Sequence, residues 1–392
     1  MKVEKTGLSL QNFCDIMLNV NKITTVLGGS FMRKFISAMC ICLSVFSLTA
    51  CGSKNNGSGA NKQSGHELAL ITDAGSIDDK SFNQGSYEGV VAYADESGKT
   101  QKYYQPKGKS TEDLKQAIQL AVSGGAKVVV CSGFLFEVAV YELQKEYPDT
   151  KFILVDGTPH DESGKNNDIN DNVVGITFAE QEAGFLAGYA AVKDGYKKLG
   201  FMGGIALPAV VRFGYGFVQG ADYAAKELGL TDVEVKYNYT GTFDASPEIQ
   251  SAAAAWYSQG TEVIFACGGS IGNSIMAAAD AAGKKVIGVD VDQSGESDSV
   301  ITSAMKQLST AVHDQIKSIY EGEFKGGQAL VLTAKENAVG LPMDTSKFTT
   351  FTKEQYQTLL DSLVKGEIEL QTDVDAKSVT DLKVTNVKVQ AI

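Results

Sequence analysis

Histidine is scarce in this chain. Its three copies among 392 residues, His66, His160 and His313, stand too far apart to build the paired-histidine helix of a zinc site, so no metal is expected. There is no G-x-S-x-G elbow and no P-loop. Gly214-x-Gly216-x-x-x-Gly220 lacks dinucleotide spacing and falls inside a predicted helix, where glycines serve packing. Positive charge is short as well: 35 Lys and Arg face 47 acidic residues. Five of those cations (Lys2, Lys5, Lys22, Arg33, Lys34) but only Glu4 and Asp15 precede Cys51, which takes the net charge from −12 for the whole chain to −15 beyond that point. Such a surface repels phosphate backbones, which argues against nucleic acid as a partner.

The apolar run at 35–46 is too short to cross a membrane. With Arg33 and Lys34 before it and Leu48-Thr49-Ala50-Cys51 after it, it reads as a lipoprotein signal peptide, removed on processing. Cys51 is then the lipidation site, and two or more acyl chains there give stable anchoring at a cell membrane on its extracytoplasmic side. Residues 1–31 fit no signal design and precede a complete one at Met32, so Met32 is the expected start. The Gly-, Ser- and Asn-rich stretch 51–65 reads as a flexible tether. Of the six cysteines, processing removes Cys14, Cys40 and Cys42. Cys131 and Cys267 end apolar strands in different halves and are expected as buried free thiols.

From residue 67 onward, short β-branched runs alternate with amphipathic stretches. Strands are predicted at 68–72, 127–131, 151–155, 173–178, 198–202, 233–239, 262–267, 285–289 and 329–333. Helices are predicted at 82–96, 111–122, 134–146, 179–192, 208–228, 246–258, 272–282 and 301–320. This alternation specifies parallel sheets covered on both faces. A break near Gly195 divides it into two similar halves. The expected fold is α/β, two doubly wound parallel-sheet lobes of the first periplasmic-binding-protein type. The expected organisation is a signal region at 1–50, a tether at 51–65, an N-terminal lobe at 66–196 plus about 298–326, and a C-terminal lobe at 197–297 plus about 327–392. Predicted strands end in small residues or carboxylates: Thr72-Asp73, Cys131-Ser132-Gly133, Asp156-Gly157, Gly203-Gly204, Cys267-Gly268-Gly269 and Asp290-Val-Asp292. Ligands of open α/β sheets bind at such ends. Carboxylates there accept hydrogen bonds from hydroxyls and amines. Ser81 is the expected N-cap of the first helix, with Asp78 and Asp79 as further capping candidates.

The opening string Thr72-Asp73-x-Gly75-x-x-Asp78-Asp79-Lys80-Ser81-Phe82-Asn83-Gln84 resembles the first motif of the basic membrane protein family of substrate-binding lipoproteins, and most of all its purine-nucleoside receptor branch. The resemblance runs from about Leu68 to about Val339. It includes Phe152-Ile-Leu-Val-Asp-Gly157, Ala179-Glu-Gln-Glu-Ala-Gly-Phe-Leu-Ala-Gly188, Pro208-Ala-Val-Val-Arg-Phe-Gly-Tyr-Gly-Phe217, Val286-Ile-Gly-Val-Asp-Val-Asp-Gln293 and Thr302-Ser-Ala-Met-Lys306. It implies that Phe82 stacks on a nucleobase with Phe243 opposite. It places Asp73 and Asp156 beside the base, and Asp290 and Lys306 on the ribose, with Gly268 letting the sugar lie against the backbone. Phe243 has a second reading as a core cap, and Asp292 as a solvated residue.

The function implied is that of an extracytoplasmic, monomeric receptor that hands a purine nucleoside (inosine, guanosine or adenosine) to an ABC permease, with no cofactor and no bond broken. A receptor for a sugar or other small polar solute is the alternative of the same class. A surface nucleoside hydrolase using paired carboxylates is the alternative of another class.

Overall fold

The computed structural model describes residues 65–73 and 75–392. The signal region, Cys51 and the tether up to residue 64 lie outside the described residues. The first run comprises β1 (Leu68–Ile71), α1 (Phe82–Ser97), β2 (Gln101–Tyr104), α2 (Thr111–Ser123), β3 (Val128–Ser132), α3 (Glu137–Glu146), β4 (Lys151–Val155) and β5 (Val173–Phe178). The second comprises α4 (Glu180–Lys193), β6 (Lys198–Gly203), α5 (Pro208–Leu228), β7 (Val233–Tyr239), α6 (Pro247–Ser258), β8 (Val263–Cys267), α7 (Ile271–Ala282), β9 (Lys285–Asp290) and β10 (Val300–Lys306). The chain ends with α8 (Leu308–Glu321), β11 (Gln328–Leu332), β12 (Val339–Gly340), α9 (Lys353–Val364) and β13 (Val387–Ala391).

Two sheets result, ordered β11-β5-β4-β3-β1-β2 and β12-β10-β9-β8-β6-β7-β13. Every ladder is parallel except β10 with β12. Their central strands are buried from end to end, as Leu68-Ala-Leu-Ile71 and Val263-Ile-Phe-Ala-Cys267 show, because helices cover both faces. Within each half the strand order is 2-1-3-4-5, so each sheet has a topological switch point, β1/β3 in one and β6/β8 in the other. This is the expected two-lobed α/β fold. Cys131 and Cys267 are buried free thiols at the ends of β3 and β8, one in each sheet.

The crossings between sheets differ from the expected ones. Residues 300–306 form β10, paired in parallel with β9, so the helix expected at 301–320 begins only at Leu308. Val300, Ile301 and Thr302 are β-branched and fully buried; such side chains lose χ1 freedom in a helix and fit a pleated surface. The chain leaves the first sheet after Phe178, not near residue 196, since α4 packs along α5 and over β10. It returns after Lys306, where α8 packs on α1, and leaves again after β11. Residues 298–306 therefore belong with the second sheet, and 327–332 with the first. The edge strands β2, β12 and β13 were not anticipated, because half-solvated edges carry no continuous apolar run.

The close approach of α4 to α5 explains the helix glycines. A Cβ at Gly184, Gly188, Gly216 or Gly220 would lie 2.1, 2.0, 2.0 and 2.0 Å from a carbonyl oxygen of the facing helix. Only glycine allows that separation.

Candidate functional site

The two switch points open into one cavity, an empty space of about 590 Å³ including its mouth. All seven candidate residues line it: Asp73, Phe82 and Asp156 from the first lobe, and Phe243, Gly268, Asp290 and Lys306 from the second.

At the end of β1, Asp73 is fixed by Asn83. The Asn83 side-chain amide donates to Asp73 Oδ1 at 2.8 Å, and the Asp73 N–H donates back to Asn83 Oδ1 at 3.1 Å. Gly75 N–H also donates to Oδ1 at 2.7 Å, while Oδ2 accepts no hydrogen bond among the described residues. Burial raises the pKa of this carboxyl, against the effect of those donors. Ser81 occupies the N-cap position of α1, but its side chain does not cap. Asp79 does so instead, accepting from the backbone N–H groups of Ser81, Asn83 and Gln84 at 2.9, 2.9 and 3.1 Å. The Ser81 hydroxyl is thereby released to reach across the cleft to Asp290 Oδ2 at 2.5 Å.

Phe82, the first residue of α1, is half-buried and faces the cavity. Phe243 faces it from the other lobe, its ring lying over Gly204 and Gly268, the glycines that follow β6 and β8. A Cβ on Gly204 would meet the ring at 2.4 Å and one on Gly268 at 3.0 Å. Gly268, at φ 144°, combines this close approach with a backbone conformation that L side chains rarely adopt. The half-buried ring both packs against the core and lines the cavity, so both readings of Phe243 describe it. Asp292 is exposed and bonded to Thr345 at 2.6 Å, outside the cavity. Lys80 also points away, 3.9 Å from Glu296.

Asp156 and Asp290 occupy equivalent places at the ends of β4 and β9, and both are left-handed, with φ of 57° and 66°. Aspartate tolerates that region better than most residues. Lys306, at the end of β10, lies between them, its Nζ 2.5 Å from Asp156 Oδ2 and 3.4 Å from Asp290 Oδ1. The same ammonium lies 4.8, 5.4 and 5.5 Å from the ring centroids of Phe82, Phe178 and Phe213. The carboxylates expected to divide between base and ribose thus share one cation. Burial works against the Lys306 charge, but Asp156, Asp290 and Glu180 outweigh it and raise its pKa. Burial also lifts Asp156, to about 7, opposed by Lys306 and reinforced by Glu180. Its Oδ1 is buried without a donor.

Residues at or beside the site with no role assigned from sequence include Asn83, Phe213, Glu180 and Arg212. For the last two the signal was present, a charge on each of two apolar, glycine-rich helices, where burial demands a partner. Glu180 Oε2 accepts from Arg212 Nε at 2.7 Å. Among the described residues no cluster of side chains suits a metal ion.

Residues 66–373 match the family described as PnrA-like ABC transporter substrate-binding proteins. The ABC transporter nucleoside-binding protein BmpA of Lactococcus lactis is 28% identical, the alignment covering 86% of this chain and 98% of that protein. Basic membrane protein A1 of Borrelia garinii is 30% identical, over 80% of this chain and 90% of that one. An ABC transporter solute-binding protein from Aeropyrum pernix has the same fold, with a TM-score of 0.68 at 24% identity over 80% of this chain and 95% of that one.

Proposed function

The chain belongs to the PnrA-like family of ABC transporter substrate-binding proteins, whose members deliver a small molecule to a permease; from that premise we propose that its cargo is a purine nucleoside. The observation that carries this reading is the pairing of Phe82 and Phe243, aromatic rings from opposite lobes facing one cavity otherwise supplied with acidic acceptors. A planar base between two rings gains roughly 1–3 kcal/mol per face, whatever its identity. Selectivity falls to the carboxylates. Asp73 Oδ2 and the donorless Asp156 Oδ1 accept N–H and O–H groups, and Asp290 with Lys306 holds the ribose hydroxyls. The name of the Lactococcus lactis relative supports the same class of ligand.

The protein acts as a monomer held outside the cell by lipid on Cys51, with its lobes closing over the ligand. Closure is a population shift driven by contacts the ligand makes with both lobes at once. Isothermal titration and thermal unfolding with inosine, guanosine, adenosine, free bases, ribose and amino acids test the cargo. A nucleoside at about a hundred times its dissociation constant adds roughly 2.7 kcal/mol of stability. A response to ribose with none to any nucleoside would refute the assignment. Replacing Cys51 with serine should release the protein from the membrane fraction; retention there would refute the anchor.

A further inference from the structure

We propose that Glu180 and Arg212 are positioning residues for ligand capture: touching no ligand themselves, they fix the Lys306 ammonium between the carboxylates of the two lobes. The inference rests on the reading of Lys306 as a ligand-binding group.

Neither residue lines the cavity. Glu180 is fully buried as the first residue of α4, immediately after the chain has crossed from β5. One of its oxygens is taken by Arg212, which also reaches Asp373 at 3.5 Å and so ties the pair to the second lobe. The other, Oε1, is buried, has no hydrogen-bond donor, and lies 3.7 Å from Lys306 Nζ. A carboxylate that served only to join α4 to α5 would gain nothing from that second contact, since desolvating it is costly.

The distance is beyond hydrogen-bond range, so the contact is electrostatic and steers the ammonium without taking one of its protons. Lys306 donates to Asp156, and Asp290 stands at 3.4 Å. Asp156 belongs to the first lobe, whereas Lys306, Asp290 and Arg212 belong to the second, and α4 packs along α5. When the lobes part, Asp156 leaves and Glu180 stays. The ammonium then keeps a buried counter-charge at its back and remains aimed at the cleft, ready for the next ligand. Such preorganisation lowers the ordering cost of binding.

The charged groups facing Lys306 are Asp156, Asp290 and Glu180, with Arg212 and then Asp373 behind Glu180. The nearby Cys267 thiol is kept neutral by burial. Removing the Glu180 charge takes away one of the carboxylates that raise Asp156. That effect is a direct one of charge on charge, present whether or not Glu180 positions Lys306; positioning shows instead as coupling between Glu180 and Lys306.

The test is a double-mutant cycle on the full chain with Glu180→Gln and Lys306→Met, titrating inosine across pH and measuring urea unfolding without ligand. Glu180→Gln should weaken inosine roughly 5- to 50-fold and add no further loss in the Lys306→Met background. The same fold loss in both backgrounds overturns the inference. If Glu180→Gln does not fold, Arg212→Lys, which keeps the charge but loses the guanidinium fork, enters the same cycle. If the wild type ignores inosine and binds ribose, the nucleoside assignment falls separately, and the cycle run with ribose decides the positioning role.

Discussion

Alanine at Gly216 tests how tightly the lobe-crossing helix is seated. Its Cβ would lie 2.0 Å from the Gln181 carbonyl oxygen, 2.7 Å from that carbon and 2.8 Å from the Gln181 Cα. Weak C–H···O contacts lie at about 3.3–3.6 Å, so α4 and α5 must part by roughly 1.5 Å. Rigid backbone on both sides leaves no side chain to yield. Overpacking of this kind costs about 1–3 kcal/mol, more than the 0.5–1 kcal/mol that alanine gains over glycine in a helix interior. Urea unfolding measures the difference. Gly272→Ala in α7 is the control: its Cβ would meet only the flexible Met276 Cε at 3.7 Å, so it should gain the propensity term without the clash. The shift should also weaken ligand binding, because Gln181 follows Glu180 directly and Gly216 stands one turn beyond Arg212 and Phe213. A Gly216→Ala protein as stable as Gly272→Ala, with unchanged affinity, would refute the account of this interface.

Phe82→Ala should weaken purine nucleosides by about 1–3 kcal/mol beyond the stability lost where the half-buried ring packs on the core; titration beside urea unfolding of the apo protein separates the two effects. Lys306→Met leaves Asp156 and Asp290 buried without their ammonium and should cost about 3–5 kcal/mol when both are ionised. Asp156 already has a raised folded pKa, so its ionisation penalty enters as pH rises through that pKa. The loss must therefore shrink in acid, and an equal loss at low and high pH would contradict the cluster's role. Asp79→Ala should cost about 0.5–2 kcal/mol as a lost helix cap. The wild-type Asp79 has its pKa raised by burial from 3.8 to about 6. Its stabilising contribution is thus greatest below the lower value and fades as pH climbs through the higher one. Asp79→Asn should flatten the stability profile over that window.

What the sequence made legible followed from local chemistry. Continuous apolar runs marked the buried strands, and the residues ending them, Asp73, Asp156, Gly268 and Asp290, all reach the cavity. Helix α5 begins and ends where its Pro208 and the glycine after Leu228 place it. Residues 300–306 were misread because an apolar run leading into an amphipathic helix has no internal punctuation; the strand is specified by its pairing with β9, a long-range fact. Ser81 stood at the right position for a cap, but the choice between Ser81 and Asp79 depends on Asp290 drawing the hydroxyl across the cleft. Glu180 and Arg212 were visible as charges on apolar helices, yet their meeting with Lys306 depends on the crossings, which local pattern does not encode.

Those crossings show how one repeated design yields an asymmetric site. Each fifth strand ends two residues before a helix, Phe178-Ala179-Glu180 in the first half and Lys306-Gln307-Leu308 in the second. The linking residues bend alike, Ala179 at φ −83°, ψ 67° and Gln307 at φ −78°, ψ 56°. Each also gives its N–H to the returning chain, Ala179 to Leu332 at 2.9 Å and Gln307 to Ala338 at 2.8 Å. The backbone repeats, but the side chains do not. Where the first copy carries Phe178, the second carries Lys306, and the ring lies under the ammonium. Where the second copy carries the buried Leu308, the first carries Glu180, the counter-charge to that ammonium. A symmetric pair of strand ends has thus been divided into a cation with an aromatic floor and a carboxylate behind it, all at segments that link the two sheets. On the proposed reading, the charge that holds the ligand and the backbone that links the sheets are the same few residues, so a substitution at either copy should alter affinity and closure together.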